Sequence, residues 1–309
     1  MNYEMSLIKP DIEGLINRYK KTYIDNPSVM ISGFTQENQI VADYNGRQIL
    51  ELMQNADDAG SDIIHIEIDK TNQTLCISNK GDAFDLGGIE SLMFPGISTK
   101  NKAEFIGNKG LGFRSILNWV DSVTILTREV SVSFSRKSTE EFFIDHLANE
   151  PSIKDRVAQE IRKNKITQDT LPIATLAFPE ITDEVADSQY TTQIKLVYNK
   201  NEEPAIEAQL SSISEETLLF LPHCTKVVLV KNGQLVLDLN KTTEADGSIK
   251  VGSKSWKVLT KTNLEFNEKV RFNYTIAWQD DLSDEGMFYT YFPTDVTIGL
   301  PCLIHGTFD

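Results

Sequence analysis

The sequence predicts two α/β domains, 1–200 and 201–309, and three observations carry that expectation. At 309 residues the chain exceeds one ordinary core and suits two domains of roughly 100–200 residues each. Stretches with helical spacing of apolar residues alternate along it with short runs of strand pattern. The apolar patterning then breaks at NKNEEP, 199–204, and the chain beyond is rich in strand patterns.

Residues 7–23 read as a helix, followed by a polar stretch to residue 34. Residues 38–59 read as one longer helix stopped by Gly60, a residue type favoured just past helix ends. IIHIEI (63–68) and TLCISN (74–79) read as strands joined by the turn-rich DKTNQ. A short helix at 89–93 leads into FPGISTKNKAEFIGNKG, whose Gly, Ser, Lys and Asn content reads as a loop. Helix is expected again over 111–120, then a strand pair at SVTILT and VSVSFS. Residues 139–164 read as helical with Pro151 dividing them, and ATLAFP and TTQIKLVY as two more strands. Past residue 200 a helix over 203–217 leads into strands VVLV, QLVLDL, SWKVLT, VRFNYTIAW and MFYTYFP. LPCLIHGTFD still reads as strand at the last residue, as in a piece of a longer protein.

A net charge of −15 disfavours nonspecific attraction to nucleic acid or to an anionic membrane surface. No apolar run approaches the roughly 20 residues that span a bilayer, and the first residues do not read as a signal peptide, so the cytosol is the expected location. Cys76, Cys224 and Cys302 lie far apart without a C-x-x-C pair, and His65, His146, His223 and His305 lack ligand spacing. A metal held by side chains alone is not expected.

Three constellations carry chemistry. In ELMQNADDAG, at about 100° per helical residue, Glu51, Asn55 and Asp58 share one stripe about 60° wide. Ile49, Leu52, Met53, Ala56 and Ala59 take the opposite side. A solvated polar face would read the same way. In ISNKGDAF a strand ends in Asn79, with Gly81 two residues on; an amide there can recognise a base edge, and glycine lets a ligand approach the backbone, although a plain hairpin has the same letters. In GNKGLGF, Gly107, Gly110 and Gly112 lead into the expected helix at 111–120, and exposed N–H groups at a helix N-terminus suit a phosphate. The spacing is neither the dinucleotide fingerprint nor a Walker A loop.

In this order the three resemble the GHKL superfamily, which includes gyrase, heat-shock chaperone ATPases, histidine kinases and MutL. Glu51-Leu-x-x-Asn55-x-x-Asp58-Ala59 matches its N box, Asn79-x-Gly81 falls where the family has D-x-G, and Gly107-x-x-Gly110-x-Gly112-Phe113 matches its phosphate box. TTQIKL, with Thr192, looks like its last box, where a threonine supports the adenine end. Residues 47–125 are most similar to sacsin-like and plant NOV-like ATPases, and LLFLPHCTKVVLV and FYTYFPTDVTIGLPCLIHGTFD look like stretches that follow in that group. The resemblance implies a Bergerat-type layered sandwich, helices on one face of a mixed, mostly antiparallel sheet with ATP between the layers, then a smaller transducer-like α/β domain. It also implies roles. Asn55 would hold Mg²⁺ bridging the nucleotide phosphates, and Glu51 would orient or deprotonate water. Gly107, Lys109, Gly110, Leu111, Gly112 and Phe113 would wrap the phosphates. Residues 94–106 would form a lid with Ser98, Thr99 and Lys100 near them, although a lysine-bearing loop is more often simply solvated. Asp58, Asn79, Gly81 and Thr192 would complete the ATP site.

Where the family usually has aspartate, Asn79 accepts a hydrogen bond without charge assistance, and Asp82 is a substitute acceptor. The basic residue that reaches the γ-phosphate in relatives is not identified in 201–309. Two functions stay open: a slow ATPase that closes its lid and dimerises, and a nucleotide sensor without turnover that regulates an effector or a C-terminal region outside this chain. Histidine-kinase chemistry through His146, five residues before Pro151, runs in the wrong order for that family, and DNA handling is disfavoured by the charge.

Overall fold

The apolar positions near the N-terminus are spaced for helix, and helices form there: α1 (Lys9–Asp25) buries Ile12, Leu15, Tyr19 and Tyr23 along one stripe. The structure, a computed structural model, describes residues 9–43, 46–94, 111–163, 171–266, 270–280, 286–290 and 292–306. The single helix expected over 38–59 is two. The stretch read as polar opens α2 (Pro27–Asp43), with Pro27 suited to a first helical position and Met30, Ile31 and Phe34 buried. Gly46, at φ +93°, takes a conformation no helix contains, and α3 (Gln48–Asp58) starts after it.

β1 (Ile63–Asp69) and β2 (Thr74–Asn79) follow as a hairpin, then α4 (Leu86–Met93), capped by Asp85, whose Oδ1 accepts from the Gly88 N–H at 2.7 Å. The helix expected over 111–120 is one turn, α5 (Leu111–Arg114), and a 3-10 turn (Ser115–Asn118); Val120 already belongs to β3 (Val120–Thr127). β4 (Ser131–Ser135), α6 (Arg136–His146) and α7 (Pro151–Arg162) agree with the expected pattern. ATLAFP is not a strand. Its backbone turns, with the Ala177 N–H on the Ala174 carbonyl at 3.1 Å, and its apolar residues are buried without pairing into a sheet. The short β5 (Glu180–Thr182) follows, then β6 (Thr192–Tyr198). The helix expected over 203–217 is also two, α8 (Glu203–Ser211) and α9 (Glu215–Leu219), because Ser214 starts the second with a capping box shared with Thr217.

The rest is strand: β7 (Lys226–Lys231), β8 (Gln234–Thr243), β9 (Ile249–Val251), β10 (Lys254–Phe266), β11 (Val270–Trp278), β12 (Met287–Thr290), β13 (Phe292–Thr297) and β14 (Leu303–Gly306). Strand order is β13-β12-β14-β11-β10-β9-β8-β7-β1-β2-β6-β3-β4-β5. β1/β7 and β12/β14 pair in parallel and the other neighbours antiparallel, giving the mixed, mostly antiparallel sheet that was expected, with flanking helices. In β1, β2, β3 and β6 alternate residues are buried, so one face is covered while the other stays partly open. α3 and α5 pack together, α3 also touches β1, β2 and α8, and β7 returns from beyond residue 200 to pair with β1. Among the described residues no helix is long and apolar enough to cross a membrane.

Candidate functional site

The covered face of the sheet is apolar until its last row. Ile68, Leu75, Leu196 and Val123 lie side by side in one row and Ile66, Ile77, Ile194 and Ile125 in the next, all buried. The same registers then align Ile64, Asn79, Thr192 and Thr127. Directly opposed residues of antiparallel strands share a face, so three polar side chains finish an otherwise hydrocarbon surface. All three are buried, Asn79 to 5% exposure. Thr127 Oγ1 donates to the Val130 carbonyl at 2.6 Å, and Thr192 Oγ1 accepts from the Phe84 N–H at 3.2 Å. The Asn79 side-chain amide has no hydrogen bond among the described residues.

The turn after β2 is tied to the end of α3. Lys80 N–H donates to Ser61 Oγ at 2.9 Å and Asp82 N–H to the Ala59 carbonyl at 2.7 Å. From the other side Thr191 Oγ1 donates to the Gly81 carbonyl at 2.6 Å. A Cβ at Gly81 would lie 2.2 Å from the Ala59 oxygen and 2.8 Å from the Ser61 nitrogen, so the approach requires glycine. Asp82 is exposed.

On α3, Ile49, Leu52, Met53 and Ala56 are buried as expected, while Glu51 and Asp58 are half-buried and Asn55 is exposed. Burial raises the Glu51 carboxyl above the ordinary glutamate range, and the charge of Arg47 opposes that shift. The Glu51 carboxylate lies against Gly112, where an added Cβ would stand 2.1 Å from Oε2. Thus α3 meets the turn at Gly81 at its end and the backbone at Gly112 along its polar stripe.

Leu111 opens α5, and Phe113 is buried in the core. Ser98, Thr99, Lys100, Gly107, Lys109 and Gly110 lie outside the described residues. Among the described residues α5 is a single turn, Leu111–Arg114, and the glycine-rich approach to it, 107–110, on which the expected phosphate contact depends, lies outside them. Arg114 is buried just past Gly112. Its Nη2 donates to the Leu92 carbonyl at 2.5 Å, and burial lowers it to about 10 against the opposing pull of Glu37 and Tyr23. It ties the last turn of α4 to α5.

The arrangement offers a carboxylate able to take a proton, an amide at the surface of the same helix, and an amide and a hydroxyl at the sheet end. Among the described residues no group of three or more His, Cys, Asp or Glu side chains could hold a metal. Mg²⁺ commonly binds through one or two protein oxygens with the remaining positions filled by phosphates and water, and the Asn55 amide beside Glu51 fits that limited share.

Asp57, Glu37 and Arg114 were not singled out from sequence. A signal for Asp57 was present: helical spacing puts it on the apolar side of α3, where a charge needs a partner. It is 1% exposed, and Oδ1 accepts the His223 and Cys224 N–H groups at 2.9 and 2.7 Å. Glu37, also buried, accepts from Thr175 N–H at 2.5 Å and Leu176 N–H at 3.3 Å, which is what holds the turned ATLAFP segment.

No protein-family model matches the chain, and no curated protein matches it. Among solved structures it is similar to the ATPase domain of Aquifex aeolicus MutL complexed with ADP, at TM-score 0.42 and 10% identity over 85% of this chain and 91% of that one. It is also similar to the ATPase region of Saccharomyces cerevisiae topoisomerase II, at TM-score 0.40 and 10% identity over 79% of this chain and 60% of that one. Neither likeness is close enough to bear on function.

Proposed function

We propose that the chain binds Mg·ATP at the row formed by Asn79 and Thr192 and along the stripe of Glu51, Asn55 and Asp58, as a GHKL-type ATPase of the sacsin-like kind. The observation that carries this reading is the placement of Asn79 beside Thr192 at the end of an otherwise apolar sheet face, its side chain making no hydrogen bond among the described residues. Its Oδ1 can accept from the exocyclic amine of adenine, and the Thr192 hydroxyl, already accepting from Phe84 N–H, keeps its proton to donate. Gly81, which lets the turn after β2 pack against the end of α3, is proposed to complete the base site from that turn. Asn55 is the group that would hold Mg²⁺, which when bound draws charge from the phosphate oxygens. Glu51, ionised and seated against Gly112, would take a proton from the attacking water. Ser98, Thr99, Lys100, Gly107, Lys109, Gly110, Leu111, Gly112 and Phe113 are proposed to surround the phosphates. The domain division at 200/201, a nucleotide-dependent homodimer and a cytoplasmic location belong to the same reading.

Hydrolysis by the purified chain tests it. Glu51→Gln should reduce turnover by about 100-fold or more, the usual share of a general base, while ATP affinity changes less than about threefold. Unchanged turnover removes Glu51 from the chemistry. Asn79→Asp should tighten ATP by adding charge to the acceptor; equal loss of ATP and GTP binding would mean that Asn79 does not read the base. A second reading, a nucleotide sensor without turnover, is favoured by the same asparagine standing where relatives have aspartate. Multiple turnover that depends on Glu51 rules it out.

A further inference from the structure

α3 carries the stripe on which the proposed function rests, yet it does not supply its own ends. Its N-cap residue, Arg47, makes no side-chain capping bond. Instead Gln209, on α8, accepts the Ile49 N–H at 3.0 Å through Oε1 and donates to Gln48 Oε1 at 2.6 Å through Nε2. Gln48 and Gln209 are both buried, so one amide from beyond residue 200 satisfies a first-turn N–H that would otherwise be orphaned. At the other end stands Asp57, a buried carboxylate in the last turn, where the helix dipole disfavours negative charge. Burial raises its pKa, and the His223 and Cys224 N–H groups, which it binds, pull the other way, helped by charge on His223 and Lys241. Lys241, on β8, is fixed in turn by donating to the Leu218 carbonyl at 3.3 Å and to the Leu221 carbonyl. Both ends of α3 are therefore held by residues 209–241, through polar contacts buried where they are costly to break.

We infer that Gln209 and Asp57 are positioning residues that couple the nucleotide helix to β7 and β8, so that occupancy of the site is felt in the strands that follow. The inference rests on the nucleotide reading for its ligand but not for its mechanical part. α3 is short, 11 residues, and lies between these two anchors with Glu51 and Asn55 in the middle. A shift of the helix toward a ligand must either carry residues 209–241 along or break buried hydrogen bonds.

Hydrogen exchange of the intact chain with and without Mg·ATP reads this directly, in wild type, Gln209→Met, Asp57→Asn and the double variant. Asp57→Asn keeps an acceptor oxygen, which guards against simple unfolding, but removes the charge that strengthens its bonds to the His223 and Cys224 N–H groups and draws Lys241. In wild type, Mg·ATP should slow exchange at least threefold both in α3 and across 223–241. Each single variant should at least halve the slowing in 223–241 while keeping it in α3, and the double variant should abolish it there. Slowing confined to α3 in wild type, or undiminished across 223–241 in the double variant, overturns the coupling. If calorimetry finds no Mg·ATP binding by wild type, the nucleotide reading is what has failed. The ligand-free samples then decide the mechanical part: Gln209→Met should speed exchange at both Ile49 and His223–Cys224, and an effect limited to Ile49 overturns it.

Discussion

Gly81 and Gly112 show how closely α3 is approached from two sides, and they should respond differently to a methyl group. At residue 81 the new atom meets backbone, the Ala59 oxygen at 2.2 Å, which has nowhere to turn. Gly81→Ala should cost about 1–3 kcal/mol in denaturant melts, and a wild-type midpoint would contradict the described turn. At residue 112 it meets the end of the Glu51 side chain, which can swing aside. Gly112→Ala should melt close to wild type and still lose turnover by displacing the carboxylate. The state of that carboxylate adds a pH test. Burial raises the Glu51 pKa, and a general base acts only when ionised, so turnover should fall on acidification with a midpoint above the ordinary glutamate value of about 4.3. A midpoint at the ordinary value removes Glu51 from that role. The polar stripe of the candidate site was legible in the sequence, since helical spacing alone sets Glu51 and Asn55 apart from the buried side of α3. Asp57 was missed because its partners are backbone N–H groups 166 and 167 positions away, which no local pattern announces.

Among elements, β1, β2 and β6 were readable because one face is covered and the other partly open, which writes period two into the sequence. ATLAFP misled because apolar residues buried in a turn look like those of a short buried strand; what distinguishes them is Glu37, more than a hundred residues earlier, holding the Thr175 and Leu176 N–H groups. The breaks at Gly46 and Ser214 were visible as residue types but outweighed by helical spacing on both sides. β14 supplies a prediction at this scale. Its His305 is buried and stacks on Phe220 with centroids 5.2 Å apart, and burial lowers its pKa to about 4. An unfolded histidine takes a proton near 6.5, so this packing stabilises fully above that pH and is lost as pH falls toward 4, by roughly 2–3 kcal/mol. Glu37, Glu51 and Asp57, raised by burial, act in the opposite sense, so the reading is the difference between variant and wild type. His305→Phe should lose less melting temperature than wild type between pH 7 and pH 4.5; parallel losses would contradict the assignment.

For the molecule as a whole, the continuous sheet and the layer of helices follow from alternation the sequence displays, whereas the return of β7 to β1 does not: parallel pairing across 163 positions leaves no mark in either strand. That return brings the chain beyond residue 200 against the helix that bears Glu51 and Asn55, so the proposed nucleotide site would draw on both parts of the chain. The most direct measurement is calorimetric titration with ATP and ADP, with and without Mg²⁺, on wild type and Asn55→Ala. The account predicts magnesium-dependent binding by wild type that falls at least tenfold in the variant. Absence of binding by wild type, or binding indifferent to both magnesium and Asn55, would contradict it.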